Sequence, residues 1–360
     1  MTTPVAPMGA RAEARRATPV KWWAGAGAAF IVLQLYVYGA WIASGPERTD
    51  PGPVAQPWYM DIGVAFMNVL MPISAVGILF LYVVRPWWRD RRLSEDGILV
   101  LALIAVAWQD PLANYTQITA TYNANMWNFG SWGSQVPGWM SPRAELITEP
   151  IMAWVAAYIV TGFLIVLFTC RVMVRAADRW PRIGTFGLIS VAFALNFVLG
   201  IFSEIFAVKI GLYAYGGAIR EVSLFPGTHA QLPIYETVLN AFLLGGFACV
   251  RFFKNSRGEN LAERGIGDLS VTPKRRTGIR FLALVGALNT IFLVYNVGWA
   301  WFALHSDAWP EDLIERPYLT DGVCGPGTEY ACPGPDVPIP RPDSGHLDPD
   351  GEFVPADSAR

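Results

Sequence analysis

The sequence predicts an all-α fold, a polytopic membrane helix bundle of about seven transmembrane helices with the amino terminus inside and the carboxyl terminus outside. Three observations carry this. Of the 360 residues 53% are hydrophobic and only 16% are charged, which is too apolar for a typical soluble domain. The apolar residues fall in blocks long enough, at a rise of about 1.5 Å per residue, to cross about 30 Å of hydrocarbon. Basic residues recur on alternate connections between those blocks.

Trp22–Ala43 is the first block; it is too long for the apolar region of a cleavable signal, and no clear small-residue cleavage site follows it. Ile62–Val84 is the second. The third, Ile98–Trp108 extended to Tyr115, is the weakest because it runs into Gln109 and Asp110. Ile151–Val174, Thr185–Ala207, Pro233–Phe253 and Gly278–Leu304 complete the set. Twenty of the 27 Lys and Arg lie before the first block, after the second and fourth, and around the sixth and seventh. An excess of this kind marks the cytoplasmic side. The expected location is the cytoplasmic membrane of a bacterium, with the lipid bilayer as partner. The net charge of −2 gives no reason to expect nucleic acid.

One membrane domain is expected over residues 21–306, with outer loops at 116–146 and 208–232. Residues 1–20 read as a disordered basic arm, and 307–360 as an exported Pro-rich acidic tail, disordered from 335 onward. Cys170 and Cys249 read as small packing residues. Cys324 and Cys332 close the Gly- and Pro-containing CGPGTEYAC, which suits a disulfide loop in an oxidising compartment.

The chemistry gathers on the outer side. From Trp108 to Trp139 the chain combines Asp110 with several Asn and aromatic residues, too polar to span a bilayer and too aromatic for an ordinary solvated loop. Asp110 ends the third block, Glu149 begins the fourth, Glu204 lies near the end of the fifth, and Glu236 opens the sixth. Carboxyl groups in such places are expensive and usually face a bundle interior or a wet cavity. Asn196, Gly200 and Glu204 share one helical face, as do Glu236 and Asn240, and Asn289 and Asn296, so these helices can line one polar chamber.

Glu204, deepest in an apolar helix, reads as the acid of an acid/base pair, with Asp110 or Glu236 as its ionised partner. Glu149 before Pro150 reads first as a helix-start charge favoured by the dipole. Asp110 before Pro111 admits the same reading at even weight, and His229 reads as a loop histidine. No GxxxxGK[ST], HExxH or paired CxxC occurs in the sequence. No metal site and no cofactor are expected.

In WQDPLANY, NFGSWGSQVPGW, EIFAVKIGLYAYGG and HAQLPIYE the chain resembles the avermectin-type spiroketal cyclase family of actinobacterial membrane proteins, over roughly residues 60 to 305. The resemblance implies a cofactor-independent cyclase of secondary metabolism that closes a dihydroxyketone polyketide to a spiroketal through an oxocarbenium-like state, with dehydration as an added capacity. In that reading Glu204 or Glu236 protonates, while Asp110 and the rings of Tyr115, Trp127 and Trp132 hold the cation. Asn114, Asn128, Asn196, Asn240 and Asn296 orient hydroxyls of a small hydrophobic or amphipathic substrate. The alternative is a transporter or binding protein for an amphipathic lipid or terpenoid, with the carboxylates as a proton-coupling pair. Protein partners are not indicated.

Overall fold

A computed structural model describes residues 19–341 and 344–356, the side chains of 152–154 excepted. The arm read over residues 1–20 lies outside the described residues apart from Pro19 and Val20. Among the described residues seven helices are long and apolar enough to cross a membrane: α1 (Pro19–Ala43), α2 (Trp58–Asp90), α3 (Glu95–Asn114), α4 (Val155–Arg179), α5 (Gly184–Lys209), α6 (Ile234–Phe252) and α7 (Pro273–Ala303). Each contains or closely overlaps one of the apolar blocks.

The helices depart from ideal geometry at readable places. In α2, π-helical turns at Phe66–Leu70 and Phe80–Val84 each end two residues before a proline, Pro72 and Pro86. A widened turn relieves the clash of a proline ring with the carbonyl four residues earlier. A third π turn, Tyr158–Gly162 in α4, has no proline after it. In α3 the α-helix stops at Ile104, and a 3-10 stretch, Ala107–Asn114, carries Asp110 and Pro111.

The central helix is α7. Gly27 of α1 and Gly286 of α7 meet backbone to backbone, Gly27 facing the Leu282 carbonyl and Gly286 that of Trp23. Only a residue without Cβ lets two helices approach so closely. Against α3, Asn289 of α7 accepts from Trp108 Nε1 at 2.9 Å and Gln109 Nε2 at 2.8 Å, and Asn296 Nδ2 donates to the Gln109 carbonyl at 3.3 Å. These are interhelical polar ties of about 0.6–2 kcal/mol each.

At one end of the bundle lie the basic connections. Ion pairs Arg251–Asp96 and Lys254–Glu95, both 2.6 Å, and Arg280–Glu263, 2.8 Å, tie α3, α6, α7 and the loop between α6 and α7. At the other end the connections after α1, α3, α5 and α7 interlock into a cap. The two long excursions pair directly: β1 (Ala120–Tyr122) runs antiparallel to β2 (Tyr213–Tyr215), with Tyr122 opposite Tyr213 and Ala120 opposite Tyr215. A second ribbon joins β3 (Ser223–Leu224) to β4 (Leu232–Pro233).

The tail belongs to this cap. Two short helices, α8 (Glu311–Ile314) and α9 (Pro317–Thr320), bury Leu313, Tyr318 and Leu319 with Met60, Ile118, Ile147 and Ala214 in one apolar cluster. His229 Nδ1 meets Asp312 Oδ2 at 2.6 Å, so the loop histidine fastens the second excursion to α8. Beyond residue 335, where the composition predicts disorder, β5 (His346–Leu347) pairs with β6 (Phe353–Val354), and Arg341 donates to the Thr116 carbonyl at 2.9 Å. Composition missed this because docking, not an internal apolar core, organises the segment. Cys324 and Cys332 are joined by a disulfide.

Candidate active site

Beneath the β1–β2 ribbon a cavity of about 400 Å³ lies between α2, α3, α4, α5, α6 and α7. Strand periodicity decides which cap residues reach it. Successive side chains point to opposite faces. On one face of the ribbon Tyr122, Tyr213 and Tyr215 line the cavity; on the other Ala214 packs in the tail cluster. Asp110, Glu149, Glu204 and Glu236 all line it as well, with Glu149, Glu204 and Glu236 buried at 1%, 8% and 3% exposure.

The four carboxyl groups form two pairs. Asp110 accepts one bond from Tyr122 at Oδ2 and one from Tyr158 at Oδ1, both 2.7 Å, and is hydrogen-bonded to Glu149. A hydrogen bond between two carboxyl groups needs one proton between them. With two hydroxyls already donating to Asp110, the proton belongs to Glu149. Burial, then the Asp110 charge, pushes Glu149 well above the ordinary carboxylate range. Its Oε2 is buried with no hydrogen-bond partner.

The second pair shares the two tyrosine donors but not the carboxyl–carboxyl bond, since Glu236 is hydrogen-bonded to Tyr295. Glu204 Oε2 accepts from Tyr213 at 2.7 Å and from Tyr215 at 2.8 Å. Glu236, its neighbour across α5 and α6, keeps Oε2 buried and without a partner. Burial and the adjacent carboxylates hold Tyr122, Tyr213 and Tyr215 well above their usual range, so all three remain O–H donors. Trp299 completes an aromatic wall, stacked on Tyr295 with centroids 6.4 Å apart and 5.5 Å from Tyr215. Among the described residues lining the cavity none is Lys, Arg or His.

The remaining sequence candidates divide. Asn114, Asn196 and Asn240 line the cavity. Asn114 is committed to backbone, its Oδ1 accepting from the Thr119 and Ala120 amides at 2.9 and 3.0 Å, which turns the chain into β1. Asn196 donates to Thr169 Oγ1 at 3.1 Å and leaves Oδ1 without a partner.

Tyr115, Trp127, Asn128, Trp132 and Asn296 do not line it. Tyr115 bonds the Gly138 carbonyl at 2.7 Å; Trp132 packs edge-on against Tyr38 and Trp41 and donates to the Trp108 carbonyl. Trp127 is 66% exposed, and Asn128 Oδ1 accepts from the Thr49 amide at 2.9 Å. Their loop folds on itself and on α1, so Tyr115 and Trp132 are used in building the cap while Trp127 faces outward. The residues that sequence reasoning passed over are Tyr122, Tyr158, Tyr213, Tyr215, Tyr295 and Trp299. The YAY of the second excursion was the available signal, since alternation puts both rings on one face.

The family described as Spirocyclase AveC-like matches residues 90–319. The chain belongs to that family. The matched span holds all four carboxyl groups, the ribbon and Trp299, while Phe66, Met67 and Met71 of the chamber lie before it. No curated protein and no solved structure matches the chain.

Proposed function

We propose that this protein is a membrane-embedded, acid/base cyclase that closes a dihydroxyketone to a spiroketal with loss of one water. The observation that carries the proposal is the double pair: two carboxylates each held by two tyrosine hydroxyls, each backed by a second carboxyl group with a free buried oxygen. Family membership supports the cyclase class.

In the proposed sequence one substrate hydroxyl adds to the ketone, giving a hemiketal. Glu149 then gives its proton to the hemiketal hydroxyl, which leaves as water and opens an oxocarbenium ion. Glu204, ionised and held by Tyr213 and Tyr215, stabilises that charge together with the faces of Trp299 and Tyr295. The second hydroxyl attacks the cation carbon, and its proton passes to a carboxylate of the chamber, which restores the proton count.

The acid thus moves from Glu204, favoured by depth in its helix, to Glu149. Two O–H donors on one Glu204 oxygen suit a carboxylate. By the positive-inside rule the basic end would be cytoplasmic and the chamber would sit toward the outer face. Membranes carrying wild type, Glu149→Gln, Glu204→Gln and Asp110→Asn, given a dihydroxyketone and read by chiral chromatography, test the reading. Equal yield and configuration in all four would sink it.

A further inference from the structure

The chamber is closed above and open at the side. Over its top the β1–β2 ribbon is covered by the tail, with Thr121 donating to the Leu319 carbonyl and the Ala124 amide to that of Tyr318. Toward the flank of the bundle, residues that line the cavity are also its outer surface: Phe66 of α2 is 42% exposed and Phe206 of α5 is 64% exposed. Thr161 and Ser203 likewise both line the cavity and are exposed.

Neighbouring positions Val69, Leu70 and Phe202 are 57%, 50% and 70% exposed, all apolar, so the opening lies in a surface built to face hydrocarbon. Its edges coincide with the π turns Phe66–Leu70 and Tyr158–Gly162. The second of these has no proline to cause it and carries Tyr158, which holds Asp110. Single π turns inside α-helices occur frequently at functional sites.

We propose that the opening between α2, α4 and α5 is a lateral portal through which the substrate enters from the bilayer, and that the substrate is an amphiphile. Its oxygenated end reaches the carboxyl pairs and its alkyl end stays in the portal and the lipid. The cavity volume argues the same way. About 400 Å³ is at the small end of ligand sites, which run from about 300 to 1,000 Å³, so a long polyketide chain cannot be enclosed and part of it must remain outside. The assignment of the oxygenated end rests on the cyclase reading; the portal itself does not.

The test uses the protein in phosphatidylcholine nanodiscs and a long-chain dihydroxyketone carrying a diazirine at its alkyl terminus. After photolysis, labelled peptides are mapped by mass spectrometry and product is assayed in parallel. Saturable label on residues 64–71, 158–165 and 199–206, competed by the probe without diazirine, is expected. Ser203→Trp should cut that label about tenfold, equivalent to about 1.4 kcal/mol of binding. Val198→Trp, exposed on the same helix but away from the cavity, should leave it unchanged.

Label confined to the cap, label that Ser203→Trp and Val198→Trp affect equally, or no saturable label would overturn the portal. Portal label without spiroketal would support the portal and retire the cyclase reading. Spiroketal with label only in the cap would do the reverse.

Discussion

Replacing Glu149 by Gln isolates the proton from everything else that side chain does. The amide is nearly isosteric and can still donate to Asp110, so the bond that joins the two groups survives while the transferable proton is lost. General acid catalysis contributes about 10²–10⁴-fold, so the barrier should rise by roughly 2.7–5.4 kcal/mol. The fold should hardly notice, because Oε2 is already without a partner and the buried charge count is unchanged.

The pH profile sharpens the test. Glu149 binds its proton more tightly in the folded state than in the unfolded chain, so it is loaded at neutrality and loses the proton only as pH climbs above the ordinary carboxylate range. Wild type should therefore lose activity on the alkaline side, and Glu149→Gln should show a low rate without that alkaline limb. The assay is single turnover of a dihydroxyketone in nanodiscs across pH, with spiroketal read by chiral chromatography. A Glu149→Gln enzyme within about threefold of wild type, less than about 1 kcal/mol on the barrier, would refute the assignment of the acid.

Three further outcomes are expected. Tyr213→Phe or Tyr215→Phe removes one donor from Glu204 Oε2 and should slow turnover by about 10- to 100-fold, from roughly 1.5–3 kcal/mol for a hydrogen bond to a charged group; the double variant, measured in the same assay, should be non-additive. In the cap, burial pushes Asp321 up to about 8 from 3.8 while it accepts from the amide and hydroxyl of Thr148. The folded state thus holds the extra proton, cap stability is full below about pH 4 and declines as pH rises toward about 8, and hydrogen exchange at 144–149 should follow that curve in wild type but not in Asp321→Asn. Gly27→Ala drives a Cβ into the Leu282 carbonyl and should cost about 1–3 kcal/mol, seen as a lower thermal midpoint in detergent, whereas Gly25→Ala meets nothing within 4 Å and should be neutral.

Which parts of this molecule could be read from its sequence follows from the range of the interactions. The seven helices were legible because hydrocarbon thickness imposes a minimum apolar length, and that signal is local. The stripe Asn196, Gly200, Glu204 was legible for a similar reason, since helical spacing fixes a face. Pairing of 120–122 with 213–215 was not, because the alternation in a three-residue strand sets a face but does not say which distant loop it pairs with. Trp132 was misdirected by its composition-rich surroundings, for an aromatic residue in a polar loop looks the same whether it lines a cavity or, as here, packs on Trp41. Glu149 was read as a helix-start charge because its decisive neighbour, Asp110, arrives from another helix.

The choice of tyrosine as the partner of each carboxylate is itself informative. A buried anion left unpaired costs several kcal/mol, and the common remedy is an arginine or lysine. Among the described residues that line this chamber there is neither. An arginine would neutralise Asp110 or Glu204 with a permanent positive charge and so repel a cation forming beside it. A pair of tyrosine hydroxyls satisfies the carboxylate oxygens through hydrogen bonds while leaving the negative charge in place. The negative charge of each carboxylate is then left to be balanced by positive charge on a ligand. Interactions stronger with the transition state than with the ground state are the ones that accelerate a reaction, and in the proposed mechanism it is the oxocarbenium ion that such a field would favour over a neutral ketone or hemiketal.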